Sequence, residues 1–202
     1  MRRTKEETAE TRDALLDAAE TVFLRRGVAR ATLEEIAREA GMTRGAIYWH
    51  FSNKEAIYAA MLERVRLPLL ETELQDAALD DPFGMLERFA EQALARIARD
   101  ERIRHIHIIV MLRRERLPGH TEMADIERDM RGHFAMALRE CFRRAQSLGL
   151  LRDGIPPERA ARAYQGLLIG LIYIGIQDTD AFRLYDDGLE MMRDLLAGYR
   201  AD

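Results

Sequence analysis

TLEEIAREAGMTRGAIYWHF, residues Thr32–Phe51, decides the fold. Leu33, Ile36, Ala37 and Ala40 recur at i, i+3, i+4 and i+7, which places them on one face of a helix. Gly41 ends that pattern where a backbone with positive φ is easiest to place. Thr43 then reads as the N-cap of a second helix, Arg44–His50. Ile47 turns inward on it, and Arg44, Tyr48, Trp49 and His50 turn largely outward. The small residues Ala37 and Gly41 let the two helices cross closely at a steep angle. That is the form of a helix-turn-helix, whose second helix enters a DNA major groove.

The flanking sequence supports this unit. Thr8–Arg26 is amphipathic through Leu15, Leu16, Ala19, Val22 and Phe23, and Gly27 closes it. It supplies the third helix of a small core. Thr32 followed by Glu35 is a capping box, and the Thr32 hydroxyl at that helix start is also expected to meet a phosphate. Residues 1–7 read as a polar tail without fixed structure. Its Arg2, Arg3 and Lys5 are either a basic arm for DNA or a solvated end.

Each outward residue has its own expected task. The Arg44 fork can bond guanine O6 and N7, which makes it the base reader. Gly45 lets the backbone approach DNA closely. Tyr48 can meet a thymine methyl or a phosphate, and Trp49 and His50 suit phosphates, which set register without reading sequence. Phe51 reads as core. Lys54 lies in the first turn of the next helix, where a cation is unfavourable unless an anion such as phosphate is near. That helix is expected to reach about Leu79, with Pro68 kinking or breaking it.

The chain has 202 residues, 48% of them hydrophobic, enough for one or two domains with a sizeable core. Its net charge of −4 does not point to DNA, but its distribution does. Residues 1–66 hold 12 Lys/Arg against 11 Asp/Glu, and the remainder 19 against 24, so the acidic part should face away from phosphate. One cysteine, Cys141, excludes an internal disulfide framework and suits a reducing cytoplasm. No signal peptide is evident, and the longest apolar run, Gly166–Ile176, falls short of the roughly 20 residues a membrane span needs. No membrane partner is expected.

TLEEIAREAGMTRGAIYWHFSNKEAIY resembles the DNA-binding signature of the TetR family of bacterial regulators. TRGAIYWHF followed by Lys54 is similar to the branch that represses multidrug efflux pumps, and so is the lead-in RRTKEETAETRDALLDAAETVFLRRGVARATL. The close match covers about the first third of the chain. The resemblance implies an all-α protein of about nine helices. Residues 1–53 would form the three-helix DNA-binding domain, and 54–202 a helical bundle for ligand binding and dimerisation. It also implies that Thr43, Arg44, Gly45, Tyr48, Trp49 and His50 face DNA, and that Lys54 sits against its backbone. The implied function is a ligand-responsive repressor, released from a palindromic double-stranded operator by small hydrophobic molecules.

Pro82–Arg99, Ile103–Arg114, Thr121–Leu148, Pro157–Ile176 and Ala181–Tyr199 carry helical periodicity, and no strand pattern occurs. A palindromic operator requires two copies, so a homodimer is expected. Gly166 and Gly170 permit close helix contact, with Tyr173, Leu184, Leu189, Met192 and Leu196 completing the expected interface. Local similarity to efflux repressors places Phe89, Ala93, His107, Val110, Met111, Met130, Phe134, Gln165, Leu168 and Ile172 at the ligand, with Arg66 facing the cavity. Methionine lining is soft and adaptable. A junction at Arg64–Leu69 is expected to pass motion between the domains. No metal-ligand spacing, nucleophile motif or phosphate loop appears, so neither enzyme activity nor a cofactor is expected. The alternatives are a TetR-like regulator of another pathway or a redox-sensing regulator through Cys141, beside which stand Arg139, Arg143 and Arg144.

Overall fold

A computed structural model describes residues 5–65, 80–114, 122–178 and 181–201. The expected Pro68 kink, the stretch to Leu79, and the placements of Arg2, Arg3 and Arg66 lie outside these residues. Among the described residues the regular structure is helical: α1 Lys5–Arg26, α2 Leu33–Glu39, α3 Arg44–His50, α4 Lys54–Val65, α5 Pro82–Arg99, α6 Glu101–Ile108, α7 Glu122–Ser147, α8 Pro157–Gln177 and α9 Asp186–Tyr199. A π-helical turn, Ile109–Arg113, continues α6. One isolated antiparallel bridge joins Leu151 to Arg200. The fold is all-α, as expected.

The chain divides into two compact units. The first gathers the described residues of 1–66 and 102–126, and the second those of 67–101 and 127–202. In this division α4 and most of α6 group with the helix-turn-helix.

In the first unit α1 is the platform. Leu15, Leu16, Ala19, Val22 and Phe23 are buried on one side of it, as are Ile36 of α2, Ile57, Tyr58 and Met61 of α4 and Ile109 of the π-turn, and Ile47 of α3 is buried beside α2. Gly27 stops the helix at φ 81°, and Val28 N–H donates to Arg113 O at 3.1 Å. The π-turn is thereby tied to the end of α1 by backbone alone. Salt links reinforce the contact. Arg64 on α4 pairs with Asp13 and Asp17 of α1, and Arg102 also reaches Asp17 at 2.9 Å. His105 Nδ1 meets Glu20 Oε1 at 2.8 Å. Burial alone would lower the Arg64 pKa, but its bonds to Asp13 and Asp17 outweigh that and hold it above its ordinary value.

In the second unit Phe142 is central. Its ring meets Phe83, Tyr164 and Tyr199 edge-on, with centroids 6.1–6.2 Å apart. The Tyr164 hydroxyl donates to Leu86 O at 2.6 Å, so this buried polar group is satisfied. The bridge closes the end of the unit through Arg152 N–H to Tyr199 O and Ala201 N–H to Leu150 O, both 2.9 Å.

Three expected boundaries move. Lys5–Glu7 are helical rather than unstructured, because Glu6 and Glu7 favour the positive end of the α1 dipole. The helix expected from Glu101's neighbour Ile103 begins at Glu101, and its last turn is π rather than α. The final helix starts at Asp186 rather than Ala181. The Asp178 carboxylate takes the Ala181 N–H at 3.0 Å, and Asp187 takes the Arg183 N–H at 3.1 Å, which caps the chain into turns before the helix can form.

Asp81 caps α5, accepting from Gly84 N–H at 2.9 Å. Asp81→Ala should cost about 1 kcal/mol. In urea unfolding this reads as a lower midpoint with an unchanged m-value; an unchanged midpoint would show that the cap contributes nothing.

Candidate nucleic-acid interface

Two short helices are held by side-chain caps and one glycine. The Thr32 hydroxyl accepts from Glu35 N–H and the Glu35 carboxylate accepts from Thr32 N–H, each at 3.2 Å, the complete capping box. Arg26 adds an ion pair to Glu35. Gly41 turns the chain at φ 67°. The Thr43 hydroxyl then accepts from Ala46 N–H at 3.3 Å and starts α3. Thr32 and Thr43 thus both serve as caps.

α3 buries one residue, Ile47. Phe51, the C-cap, is buried as expected, and the Arg12 guanidinium lies 5.1 Å from its ring centroid. Most of the other large side chains point away, His50 excepted. Trp49 is 69% exposed and Tyr48 44%, unusual for such rings on a folded surface. Gly45 is exposed and His50 is half-buried against the Trp49 ring, edge-on at 4.6 Å. Arg44 is 70% exposed at its side chain. Its Nε lies 3.1 Å from Glu34 Oε1, and its Cζ lies 5.4 Å from the Tyr48 ring centroid.

In the chain without DNA, Lys54 meets backbone carbonyls. Its Nζ donates to Ala29 O at 2.9 Å and Ala31 O at 3.1 Å. Two carbonyl dipoles supply the negative partner that the helix start lacks, and the ammonium pins the loop leading into α2. Sequence reasoning missed this, and missed Glu34 beside Arg44. Neither contact follows a helical spacing, so no local pattern announces it.

The residues expected at a ligand fall in both units. His107, Val110 and Met111 belong to the first unit and are half-buried, and His107 Nδ1–H donates to Ile103 O at 2.8 Å. In the second unit Phe89, Ala93, Leu168 and Ile172 are buried and Met130, Phe134 and Gln165 half-buried. Phe89 and Phe134 pack with centroids 5.2 Å apart.

The expected interface residues separate. Tyr173 is exposed, and a Cβ at Gly166 or Gly170 would meet nothing within 4 Å. Leu184, Leu189, Met192 and Leu196 are instead buried within the one chain, none above 7% exposed. In this one chain the apolar stripe of α9 faces the core of the second unit. The exposed apolar side chains on these helices are Ile169, Tyr173, Ile174 and Met191.

Short capped helices in this order, with an aromatic and basic outer face on the second, define a helix-turn-helix DNA-binding module. Residues 15–61 match the model of the bacterial regulatory proteins of the tetR family. The chain is 36% identical to the HTH-type transcriptional repressor BepR of Brucella suis, over all of this chain and 97% of that protein. The crystal structure of NalD, the secondary repressor of the MexAB-OprM multidrug efflux pump in Pseudomonas aeruginosa, matches with TM-score 0.86. It is 33% identical, covering 98% of this chain and all of that one. A SmeT–triclosan complex matches with TM-score 0.85 at 35% identity, over 96% and 93% of the two chains. SmeT is the repressor of the Stenotrophomonas maltophilia efflux pump SmeDEF. The chain belongs to the TetR family of transcriptional regulators.

Cys141 does not fit a redox sensor. It is 2% exposed, its thiol donates to Pro82 O at 3.3 Å, and burial pushes its pKa from 9.0 to about 12. The neighbouring arginines do not reverse this, because desolvation of the thiolate dominates and Asp81 and Glu140 add to it. A raised acid pKa favours the folded state below the unfolded value and loses that stability as pH rises past it. Native protein should therefore resist thiol reagents at pH 8 and react fully in denaturant. Wild type should also lose stability relative to Cys141→Ala as pH rises above about 9. Rapid native labelling, or parallel stability curves, would contradict the assignment.

Proposed function

We propose that this chain is a cytoplasmic repressor of a multidrug efflux operon, acting as a homodimer on a palindromic double-stranded operator and released by small hydrophobic, drug-like ligands. The observation that carries the DNA half of the reading is the outer face of α3, where Arg44, Gly45, Tyr48 and Trp49 stand exposed on a helix fixed by Ile47 and two caps. Arg44 reads a guanine edge, and Tyr48 and Trp49 seat the helix on the duplex. Thr32, Thr43 and His50 flank that face, and Lys54 holds the loop behind it.

The ligand half rests on the resemblance to repressors of efflux pumps, one of them bound to triclosan. In the second unit, Phe89, Ala93, Met130, Phe134, Leu168 and Ile172 offer aromatic and soft apolar contacts to such a molecule. The dimer forms through Gly166, Gly170 and Tyr173 of α8, joined by Ile169, Ile174 and Met191. It holds two recognition helices about 34–36 Å apart. A ligand that favours another spacing, with coupling of about 1–3 kcal/mol, lowers operator affinity about 5- to 150-fold.

Fluorescence anisotropy of the full-length protein with DNA from upstream of its own gene tests this. The expected result is a Kd well below that for scrambled DNA, rising steeply with salt. Added triclosan should raise it. Equal affinity for both DNAs at low salt would reject autoregulation through that DNA, and no effect of triclosan would reject release by that ligand. Tyr173→Arg should yield a monomer by sedimentation and weaken operator binding by about tenfold or more. A dimer with full affinity would place the interface elsewhere.

A further inference from the structure

Glu34 has no part in capping α2. Its neighbour Glu35 closes the capping box and pairs with Arg26. The Glu34 carboxylate instead stands beside Arg44, 3.1 Å from Nε, with 49% of its side chain exposed. In the first turn of α2 the Glu34 carboxylate is favoured by the helix dipole, but on a surface that meets phosphate it is repelled, which makes its place beside the base-reading arginine the point to explain.

The geometry of Arg44 gives a reason. The carboxylate forms an ion pair with the guanidinium on its Nε side, the edge nearest the side-chain stem. The Tyr48 ring, one helical turn on, lies 5.4 Å from Cζ. Charge attraction on one side and the aromatic ring on the other bias the guanidinium toward this position. The Nη nitrogens are the part of the fork that suits guanine O6 and N7. A guanidinium held in this way loses less freedom when it forms a bidentate contact.

We propose that Glu34 is a positioning residue for DNA reading: it fixes the Arg44 guanidinium, together with Tyr48, so that the arginine discriminates guanine at its base pair. This rests on the reading of Arg44 as a base contact. Glu34 itself touches no base. Its effect is confined to the single pair that Arg44 reads. Loss of its charge also relieves repulsion from phosphate, but that raises affinity for every sequence alike and cancels in a ratio.

The test begins with full-length protein and a duplex selected by it from a randomised pool. Kd is then measured for that duplex and for each single base-pair change, with wild type, Arg44→Ala, Glu34→Gln and the double variant. Arg44→Ala should abolish discrimination at one pair of each half-site. Glu34→Gln should lower discrimination at that same pair by about fivefold, with the other pairs unchanged and affinity for unrelated DNA raised. In the double variant Glu34→Gln should add nothing at that pair. Both side chains are well exposed, so melting temperature should not move, which separates the effect from folding.

Discrimination at the Arg44 pair that Glu34→Gln leaves intact overturns the proposal, as does a loss spread equally over all pairs. A loss at a pair that Arg44→Ala does not affect would mean that Glu34 reads a base directly, such as cytosine N4, and also overturns it. If Arg44→Ala alters no pair, the underlying reading of Arg44 fails, and that outcome is visible before any Glu34 variant is compared.

Discussion

The burial of Ile47 is the constraint on which the DNA-facing surface depends. α3 has seven residues, too few for a helix to persist alone in water. It offers its own core one fully buried side chain, and Phe51 just beyond it adds a second. The remaining hold comes from its ends: the Thr43 cap at one and the Arg12–Phe51 stacking at the other. A helix anchored along one narrow line can leave the rest of its circumference to solvent. That is why Arg44, Tyr48 and Trp49 can all be exposed without the helix coming loose. The arrangement concentrates recognition on one face and stability on the other, with little residue overlap between them.

α1 carries a second constraint, electrostatic rather than apolar. Asp13, Asp17 and Glu20 lie along it and receive Arg64 from α4 and Arg102 and His105 from α6. Burial holds the Glu20 carboxyl above its ordinary value, against the pull of His105 and Arg102. The cluster therefore does not act as a simple set of surface pairs, most of which are worth little. Its half-buried members depend on one another: displacing α6 would leave Glu20 with its desolvation cost and without the partners that offset it. The Val28–Arg113 backbone bond adds a geometric link at the end of the same helix. In this unit, α1 registers the position of both α4 and α6.

Much of this was legible in the sequence where the signal is local. The capping box, the Gly41 turn and the inward Ile47 follow from spacing and residue chemistry within twenty positions, and the structure has each of them. Long-range pairs are different. Arg64 meets Asp17 from 47 residues away and His105 meets Glu20 from 85, and charge patterning along a chain does not encode such partners. Lys54 illustrates the same limit. Its position in a first helical turn correctly demanded negative potential, but two loop carbonyls meet that demand as well as a phosphate does. At α9 the period marks the face and not its partner. An apolar stripe states that one face is covered, not which chain covers it, so Leu189, Met192 and Leu196 read as interface although they are buried within the one chain.

The glycines of α8 separate those two meanings. A Cβ at Gly175 would lie 2.9 Å from Leu184 Cβ, so this glycine exists for close packing inside the chain. At Gly166 and Gly170 the same test meets open space. Glycine in a helix interior is destabilising relative to alanine by about 1 kcal/mol, and inside this one chain neither position offsets that cost through contact. Beside them Ile169, Tyr173 and Ile174 leave apolar surface in water. The C-terminal half of α8 is apolar on both sides, and among the described residues the second unit covers one of them. Small residues flanked by exposed large ones are the kind of surface on which the proposed contact with a second copy would form. That face is where the proposed dimer contact is placed. The reading of a dimer accordingly rests on α8, and α9 serves as the buried support that holds α8 in place.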